Sequence, residues 1–436
     1  MNFSVSFVHR ILPAVGLLAA AITPLQAQPA TPEPTAPAIK LDALVAEIVA
    51  KNPEREFYRA EIESAKANQR VAGRLADPEL SLEIGNKRLR DSSGNRIDDG
   101  TVWSVSLMQT FEWPGRLSLR KAIANRQVEL AELGVARFEY ALQSRTRTLA
   151  FGLYAANAKA SAIRAVADRF TSLKETFLAR DPAGITPMLE TRVIEASELA
   201  LQRRATEAEL AVQAALIELN QLRGAAVDAP LLVSAPAMSF NAIPDLSALL
   251  ASARERNFDY RMKLVELEQQ GFAVDLARSG RYPGISAGPY VSQDKVGERE
   301  TIVGLGLSVP LPITGRASAE TDAASARRRQ AQAAALVALR DLEREVATAA
   351  QAFKVKFEET RRVAPDAVKK FSEAAELADR HYRSGAVPIA TYVELQQSYL
   401  DAVEALLDTQ AEILAAGLKL RELTGIELNP VQTSQP

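Results

Sequence analysis

The stretch VWSVSLMQTFEWPGR, Val102–Arg116, alternates apolar with small polar residues before it reaches a Gly-Arg pair. A second stretch, IVGLGLSVPLPITGR, Ile302–Arg316, repeats both the alternation and the Gly-Arg ending. Period-two alternation over about ten residues predicts a β-strand with one apolar face. Both stretches are therefore predicted to be strands, and their likeness indicates that the chain contains a duplicated unit.

The predicted faces of these strands differ sharply in polarity. One face of each strand is apolar, and the opposite face carries small or polar residues. This is typical of a strand with lipid on one side and water on the other. A soluble sandwich would give a similar alternation and stays open as an alternative. The only two tryptophans, Trp103 and Trp113, lie near the two ends of one strand, as membrane-interface aromatic residues do. The apolar positions are Trp103, Val105, Leu107, Phe111, Val303, Leu305, Leu307, Val309 and Leu311, with Gln109 the exception on the first strand.

Two further matches support the duplication. LDALVAEIVAKNPE, from Leu41, resembles LSALLASARERNFD, from Leu246, and AGITPMLETRV, from Ala183, resembles SGAVPIATYVE, from Ser384. The predicted organisation is a signal peptide (1–27), a Pro-rich leader (28–40), a first repeat (41–224), a linker (225–245), a second repeat (246–425) and a C-terminal tail (426–436).

Each repeat is predicted to contain the same elements in the same order: a helix, two strands, a very long helix and a last long helix. The first repeat has helix 41–74, strands 79–90 and 101–112, and helices 116–180 and 187–223. The second has helix 246–280, strands 284–294 and 300–311, and helices 316–383 and 388–424, with Pro365 predicted to kink the long helix.

The last helix of each repeat shows the three-and-four spacing of a coiled coil. A helix of about 65 residues rises to roughly 100 Å, so these helices are predicted to form a long bundle or tube. The second-repeat seam is Tyr392, Leu395, Tyr399, Ala402, Leu406, Thr409, Ile413, Ala416, Leu420 and Leu423. The first-repeat seam is Ile194, Leu201, Ala205, Ala208, Val212, Ala215, Leu219 and Leu222, with Glu198 interrupting it.

The N-terminus has the pattern of an export signal. An apolar stretch, Ile11–Leu25, precedes a small-residue cleavage site, which predicts cleavage after Ala27. An N-terminal anchor is the alternative, but Pro13 and Pro24 interrupt a stretch already short for a membrane span. We expect the exported chain to have no transmembrane helix, so that any insertion uses strands.

Composition argues against several classes of protein. The chain has 52 basic and 54 acidic residues, which is not the charge balance of a nucleic-acid binder. It has no cysteine and only two histidines, and it shows no phosphate-binding glycine loop or nucleophile elbow. We therefore expect no enzyme activity, no cofactor and no resident metal, and we interpret His381 as incidental.

The order of these elements resembles the TolC-type outer-membrane efflux proteins over residues 41–425. DPELSLEIGN, after the first helix, and QTFEWPGR, after the second strand, are most similar to the heavy-metal branch that serves RND-type pumps. The family resemblance implies a mainly α fold with a β part, built as a homotrimer. It implies a twelve-stranded β-barrel in outer-membrane lipid, continued by a twelve-helix periplasmic tunnel.

The same resemblance implies a passive channel that docks a periplasmic membrane-fusion adaptor linked to an inner-membrane pump. Drug efflux and type I secretion through the same fold stay open as alternatives to metal export. A periplasmic coiled-coil scaffold or adaptor is an alternative of another class, although adaptors normally carry lipoyl-like modules that this sequence lacks.

Two Gly/Pro breaks connect the long helices and are interpreted as tips of helical hairpins. Gly184 and Gly385 suit the helix ends, and Pro187 and Pro388 suit the first position of the next helix. The resemblance implies adaptor-contact residues at Ala183, Gly184, Ile185, Thr186, Arg383, Ser384, Gly385, Ala386 and Val387. It also implies a periplasmic gate near Glu190, Thr391 and Glu394, although the acids would equally suit ordinary solvated positions near a helix N-terminus.

Overall fold

The structure is a computed structural model that describes residues 38–180, 188–236, 238–362 and 367–426. Each repeat contains two short helices, a strand pair and long helices. The first repeat comprises α1 (Leu41–Lys51), α2 (Glu54–Ala72), β1 (Glu79–Arg90), β2 (Arg96–Phe111), α3 (Arg116–Arg180) and α4 (Met188–Arg223). The second comprises α5 (Leu246–Arg256), α6 (Phe258–Arg278), β3 (Ile285–Asp294), β4 (Glu300–Ser308), α7 (Arg316–Arg362), α8 (Ala367–Arg383) and α9 (Ile389–Thr424).

The first helix of each repeat is broken, which corrects the prediction of continuous helices over 41–74 and 246–280. The breaks lie at equivalent asparagines, Asn52 and Asn257, both buried. Asn52 Oδ1 accepts from the amide of Glu54, and Asn257 Oδ1 accepts from that of Tyr260, each at 2.9 Å. Asparagine caps a new helix in this way because its short side chain satisfies a free N–H.

The same two asparagines also tie the breaks to the last helices. Asn52 Nδ2 donates to the carbonyl of Leu222 near the end of α4, at 3.2 Å. Asn257 Nδ2 donates to the carbonyl of Leu423 near the end of α9, at 3.3 Å. The duplication therefore preserves a specific buried hydrogen-bond pattern as well as the order of elements.

Two strand boundaries differ from the prediction by more than one residue. Strand β2 begins at Arg96 rather than 101, because the polar residues before Gly100 continue the ladder with β1. Strand β4 ends at Ser308 rather than 311, since Pro310 and Pro312 lack the N–H that a ladder needs. The predicted long helix 316–383 corresponds to α7 and α8, and residues 363–366 between them, with the predicted kink at Pro365, lie outside the described residues.

The four strands form one antiparallel sheet in the order β1-β2-β3-β4. Strands β2 and β3, from different repeats, pair in the middle, so β1 and β4 lie at the two edges. The sheet has a hairpin end, where the β1–β2 and β3–β4 turns lie, and a helix end, where the strands meet α2, α3, α6 and α7. The sheet is therefore a product of both repeats.

The helices pack mainly along their lengths. Helix α3 contacts α4, α6, α2 and α9, and α7 contacts α6 and α9. Equivalent residues fill equivalent cores in the two repeats: Leu44 and Leu249 are fully buried, as are Leu219 and Leu420. A third core joins α3, α4, α8 and α9.

The predicted seam of α4 is buried at Ile194, Leu201, Leu219 and Leu222 and half-buried at its other apolar positions. In the first half of the predicted α9 seam, Tyr392 is fully buried, whereas Leu395, Tyr399, Ala402 and Leu406 are half-buried. Helix α9 packs against α3, α7 and α8, so it buries a wider arc of its surface than one seam. The buried residues there are Tyr392, Gln396, Leu400, Val403 and Leu407.

Candidate functional site

The second corner, Arg383–Pro388, joins α8 to α9 and is held by its backbone. Gly385 has a φ of 77°, a left-handed conformation that glycine adopts without a Cβ clash. The amide of Ala386 donates to the His381 carbonyl at 2.8 Å, and that of Gly385 donates to the Tyr382 carbonyl at 2.9 Å. This pair of bonds is the Schellman pattern that ends many helices.

The outer side chains of the second corner are free for contact with a partner. Arg383, Ser384, Gly385 and Ala386 are exposed, whereas Val387 packs against the core below them. Arg383 Nε donates to Asp379 Oδ2 at 2.9 Å within α8. One expectation is corrected: Pro388 caps α9, and the helix begins at Ile389, because Pro388 is still in an extended conformation.

The first corner, residues 183–187, includes the predicted contact residues Ala183, Gly184, Ile185 and Thr186. These four lie outside the described residues. The described neighbouring elements are α3, which ends at Arg180, and α4, which begins at Met188.

An aromatic cluster underlies the second corner. Tyr392 is fully buried, and its ring centroid lies 5.2 Å from those of both Tyr382 and Phe170. Burial, with the nearby Glu190 carboxylate, raises the pKa of Tyr382 to about 12. Burial also raises the pKa of Tyr392. Both rings therefore stay neutral and fix the start of α9 against α3 and α8; the sequence pattern had identified only Tyr392.

Polar contacts cross between the helices just inside the cluster. Arg169 on α3 donates to Gln396 Oε1 at 3.2 Å, and Gln396 Nε2 donates to the Ala375 carbonyl of α8 at 2.8 Å. Arg204 on α4 lies 2.7 Å from Glu404 on α9, in one of several ion pairs that join the two repeats. These bonds couple the helix ends that approach the two corners.

The three gate candidates occupy different environments. Glu190 is half-buried in the first turn of α4, close enough to Tyr382 to act on its pKa. Thr391 is half-buried on α9, and Glu394, one turn further, is exposed. No hydrogen bond or ion pair involves Glu394 in the described part of the chain. Its carboxylate is therefore available to solvent, or to a second copy.

The sheet has one continuous apolar face. The cross-strand register places Ile84 beside Trp103, Leu82 beside Val105, and Val291 beside Val303. Five side chains on this face exceed 70% exposure: Leu80, Ile84, Val303, Leu305 and Leu307.

The two tryptophans lie at different places from those predicted. Trp103 is in the middle of β2, because that strand begins earlier than expected, yet it lies where the apolar residues of its face give way to polar ones. Trp113 lies just beyond the helix end of β2 and stacks on Tyr282, with centroids 5.0 Å apart. The prediction of opposite strand ends is therefore wrong for Trp103.

The other face of the sheet, here called the polar face, carries mainly small or polar residues. Thr110 and Ser286 hydrogen-bond across β2 and β3 at 2.8 Å. Lys87 of β1 pairs with Asp294 of β3, reaching across β2 at Gly100, which has no side chain to block it. A charged network therefore occupies this face at the hairpin end.

Two other kinds of feature are absent from the described residues: a metal-binding cluster and a membrane-spanning helix. No group of three His, Cys, Asp or Glu side chains in these ranges could hold a metal ion. None of the helices in the described ranges is long and apolar enough to cross a membrane.

Known structures share this architecture. A membrane protein from Pseudomonas aeruginosa aligns with a TM-score of 0.72 at 20% identity, covering 88% of this chain and 90% of its own. The Campylobacter jejuni CmeC outer membrane channel aligns with a TM-score of 0.72 at 15% identity, over 91% and 87%. The open-state MtrE outer membrane channel of Neisseria gonorrhoeae gives 0.68 at 18%, over 89% of each chain.

These likenesses confirm the mainly helical fold with a β part. The comparison with curated protein sequences gives no match. The family model described as "Outer membrane efflux protein" matches residues 249–426, which span most of the second repeat. The second repeat is thus similar to the outer membrane efflux protein family, and the described chain as a whole has the fold of known outer membrane channels.

Proposed function

We propose that the chain is the outer-membrane channel of a tripartite efflux system and works as a homotrimer. The observation that carries the proposal is the exposed apolar face of a sheet whose edge strands, β1 and β4, pair with no further strand in the part of the chain that the structure describes. Pairing β1 of one copy with β4 of the next would join three sheets into a twelve-stranded barrel. Such a barrel presents an apolar outer surface to lipid.

The dimensions of the apolar face support membrane insertion. From Trp103 to Trp113 is ten residues, or about 34 Å along an extended strand. At the usual strand tilt of about 40° this spans roughly 26 Å, close to the apolar band of outer-membrane barrels. Trp103 and Trp113 would then lie near the two membrane interfaces, where aromatic residues are favoured.

The helical part supports a tunnel made by three copies. Helix α3 alone is about 100 Å long, and the second-repeat helices run alongside it. Helix α4 leaves Leu199, Leu210 and Ile217 exposed along one side. A neighbouring copy would cover this side, since exposed apolar surface of this extent favours association.

The partners proposed are a periplasmic adaptor and an inner-membrane RND-type pump. The exposed and backbone-stabilised second corner supports adaptor docking at Arg383, Ser384, Gly385 and Ala386, with Val387 anchoring the loop. By duplication, residues 183–186 would form the matching contact. The chain itself would supply no energy, and it would reach the outer membrane by a cleaved signal peptide at residues 1–27.

We place the gate at Glu190, Thr391 and Glu394, near the corner that faces the periplasm. Three copies of the exposed Glu394 would bring three carboxylates around the axis, where they would attract cations. Glu190 and Thr391 lie at equivalent positions in the two repeats and would line the same aperture.

The cargo proposed is a heavy-metal cation. At the hairpin end, the polar face carries Asp98, Asp294 and Glu300 against a single cation, Lys87. In a barrel this face lines the water-filled interior, and an excess of carboxylates there favours cation passage. Drug-sized cargo needs no such charge, so cargo and channel can be tested separately.

The channel is tested by extraction and conductance. The full-length protein should leave outer membranes only with detergent and should form discrete conductance steps in planar bilayers. We expect Glu394→Gln to weaken cation selectivity, whereas Gln397→Ala, at an exposed site on the same helix, should not. A protein that is soluble without detergent and gives no conductance would contradict the proposal and favour the periplasmic scaffold.

The cargo is tested in cells. Deletion of the gene should sensitise the host to zinc, cobalt, cadmium or copper, with restoration by the intact gene. Sensitivity to drugs alone would contradict metal export and leave the channel itself standing.

A further inference from the structure

At the hairpin end of the sheet, charge differs between the two faces. The polar face has the acid-rich network around Lys87 and Asp294. The apolar face continues past Trp103 into basic positions: Arg88 on β1, Lys295 directly after β3, and Arg299 directly before β4. All three basic residues are exposed.

These three cations are not neutralised by the chain. The one acid of the same register, Asp99, already forms an ion pair with Arg96. Across the described ranges, no carboxylate lies within ion-pair distance of Arg88, Lys295 or Arg299. An unneutralised basic group at the margin of an apolar surface favours an anionic partner outside the chain.

The Arg299 side chain is held on the apolar face by a buried amide. Gln293 is 6% exposed and shares a cross-strand row with Trp103. With its amide oxygen turned toward Arg299, Gln293 accepts from Nε at 2.7 Å and from Nη2 at 2.8 Å. The guanidinium is therefore positioned next to the tryptophan at the upper margin of the apolar face.

The spacing fits a lipid headgroup layer. Lys295 and Arg299 follow the Trp103 row by about 7 Å along the strands, and Arg88 by about 14 Å. Strand tilt reduces these heights to roughly 5–10 Å, within reach of headgroup phosphates for side chains of this length. The hairpin end is also opposite the long helices, so it would face the outer leaflet.

We propose that Arg88, Lys295 and Arg299 form a binding surface for the phosphates of anionic membrane lipids. The inference rests on the proposed function, because the apolar face must first lie in a bilayer. The carboxylates of the polar face would be kept toward water, while the cations would anchor the sheet at the outer interface. Headgroup attraction of this kind is worth about 1 kcal/mol per cation, or roughly fivefold in affinity.

The two tryptophans provide a direct test. With Trp113→Phe, the full-length protein keeps Trp103 as its only tryptophan, beside the proposed surface. Its fluorescence is measured in vesicles of brominated phosphatidylglycerol or brominated phosphatidylcholine. We expect severalfold preferential quenching by the anionic lipid. This preference should weaken as salt is raised and should be lost in the Arg88→Gln, Lys295→Gln, Arg299→Gln variant.

Matched variants separate charge from folding. Arg88→Lys with Arg299→Lys keeps the charges and should keep the preference. With Trp103→Phe, Trp113 reports on the helix end, where the triple glutamine variant should change nothing. Inorganic phosphate should compete no better than chloride at equal ionic strength, because the surface recognises phosphate presented by a bilayer.

The outcomes distinguish a failure of the lipid preference from a failure of membrane insertion. Equal quenching of Trp103 by both lipids, with both tryptophans accessible to lipid, would overturn the lipid preference alone. Preference retained in a folded triple glutamine variant would also overturn it. If neither lipid quenched Trp103 or Trp113, the result would instead contradict membrane insertion, and with it the proposed channel.

Discussion

Helices α4 and α9 are equivalent by duplication and equal in length, yet they are buried very differently. Leu199 on α4 is 70% exposed, whereas its counterpart Leu400 on α9 is 1% exposed. Ile217 is 47% exposed, and its counterpart Leu418 only 3%. Helix α9 contacts α3, α7 and α8 of its own chain, whereas α4 packs mainly on α3. Similar sequences thus occupy an interior place in one repeat and an outer place in the other.

The comparison indicates where a second copy would pack. Helices of the same chain bury the apolar residues of α9, but the outer side of α4 remains apolar and exposed. Substitutions on the outer side of α4 should therefore affect assembly most. Substitutions at features that both repeats contain should affect the two repeats alike.

The largest effect is expected from charges on that surface. Leu199→Asp with Leu210→Asp should abolish trimer formation, because two carboxylates per copy would be buried at the interface without partners. Light scattering of the protein in detergent would report monomers, and bilayer conductance would be lost.

The matched control is Arg203→Gln on the same helix, where the Arg203 side chain is exposed and pairs with Glu207. This variant should remain trimeric. Trimers of normal thermal stability in the double aspartate variant would contradict the assignment of the outer side of α4 as an interface.

The second effect distinguishes the glycines that end these helices. Gly224 and Gly425 both have a φ of 65°, but a Cβ at Gly425 would lie 2.9 Å from Arg256 Cβ, whereas one at Gly224 would meet nothing within 4 Å. We expect Gly224→Ala to cost about 1 kcal/mol from its left-handed backbone. Gly425→Ala should cost about 2–4 kcal/mol because overpacking is added. Thermal denaturation would measure both, and equal losses would contradict the difference.

The third effect should be symmetric. Asn52→Ala and Asn257→Ala each remove a helix cap and a buried bond to the end of α4 or α9, so each should cost about 2 kcal/mol. Aspartate at either position keeps the cap acceptor but buries a carboxylate against the carbonyl of Leu222 or Leu423, so it should lose at least as much. A large loss in one repeat only, measured by thermal denaturation, would show that the two asparagines are not equivalent in energy.

The smallest effect on stability is expected from Glu198, a charged residue of α4 that has no charged counterpart on α9. Glu198 on the buried stripe of α4 accepts from Lys174 Nζ at 2.8 Å, whereas its counterpart is Tyr399. The bond to Glu198 raises the pKa of Lys174 above its ordinary value of 10.5. Its contribution is therefore complete below pH 10.5 and is lost as pH rises through the folded pKa.

The alkaline fall in melting temperature should thus be steeper in the wild type than in Glu198→Leu. The leucine variant should be somewhat less stable at neutral pH, because it loses this pair and leaves Lys174 without its acceptor. An identical alkaline profile for both proteins would contradict this role of the pair.

Local pattern was sufficient for much of the fold. Alternation over Val102–Phe111 identified β2, and the three-and-four spacing identified the buried stripe of α4. The same spacing missed half of the buried arc of α9, because that arc depends on which helices surround it. The breaks at Asn52 and Asn257 were missed as well, although an asparagine before a proline or an acidic turn is a recognisable cap signal.

The candidate site was predicted less completely than the fold. Gly385 and the exposed second corner follow from helix-ending chemistry, which is local. The support beneath the corner does not: Tyr382, Phe170 and Gln396 meet only through the packing of α3, α8 and α9. The position of Trp103 along β2 was predicted wrongly because the polar N-terminal half of β2 also pairs with β1. That pairing depends on the partner strand and not on the local sequence of β2.

The alternation of charge at the hairpin end also constrains how the strands can align. A shift of one residue in pairing moves every side chain to the opposite face of a sheet. Here such a slip would turn Asp294 and Glu300 toward the apolar face while turning Lys295 and Arg299 toward the polar face. The backbone adds a steric check, since a Cβ at Gly100 would lie 2.2 Å from the Lys295 carbonyl oxygen. Misaligned strands would thus be rejected by charge at one end of the sheet before the apolar band had fully formed.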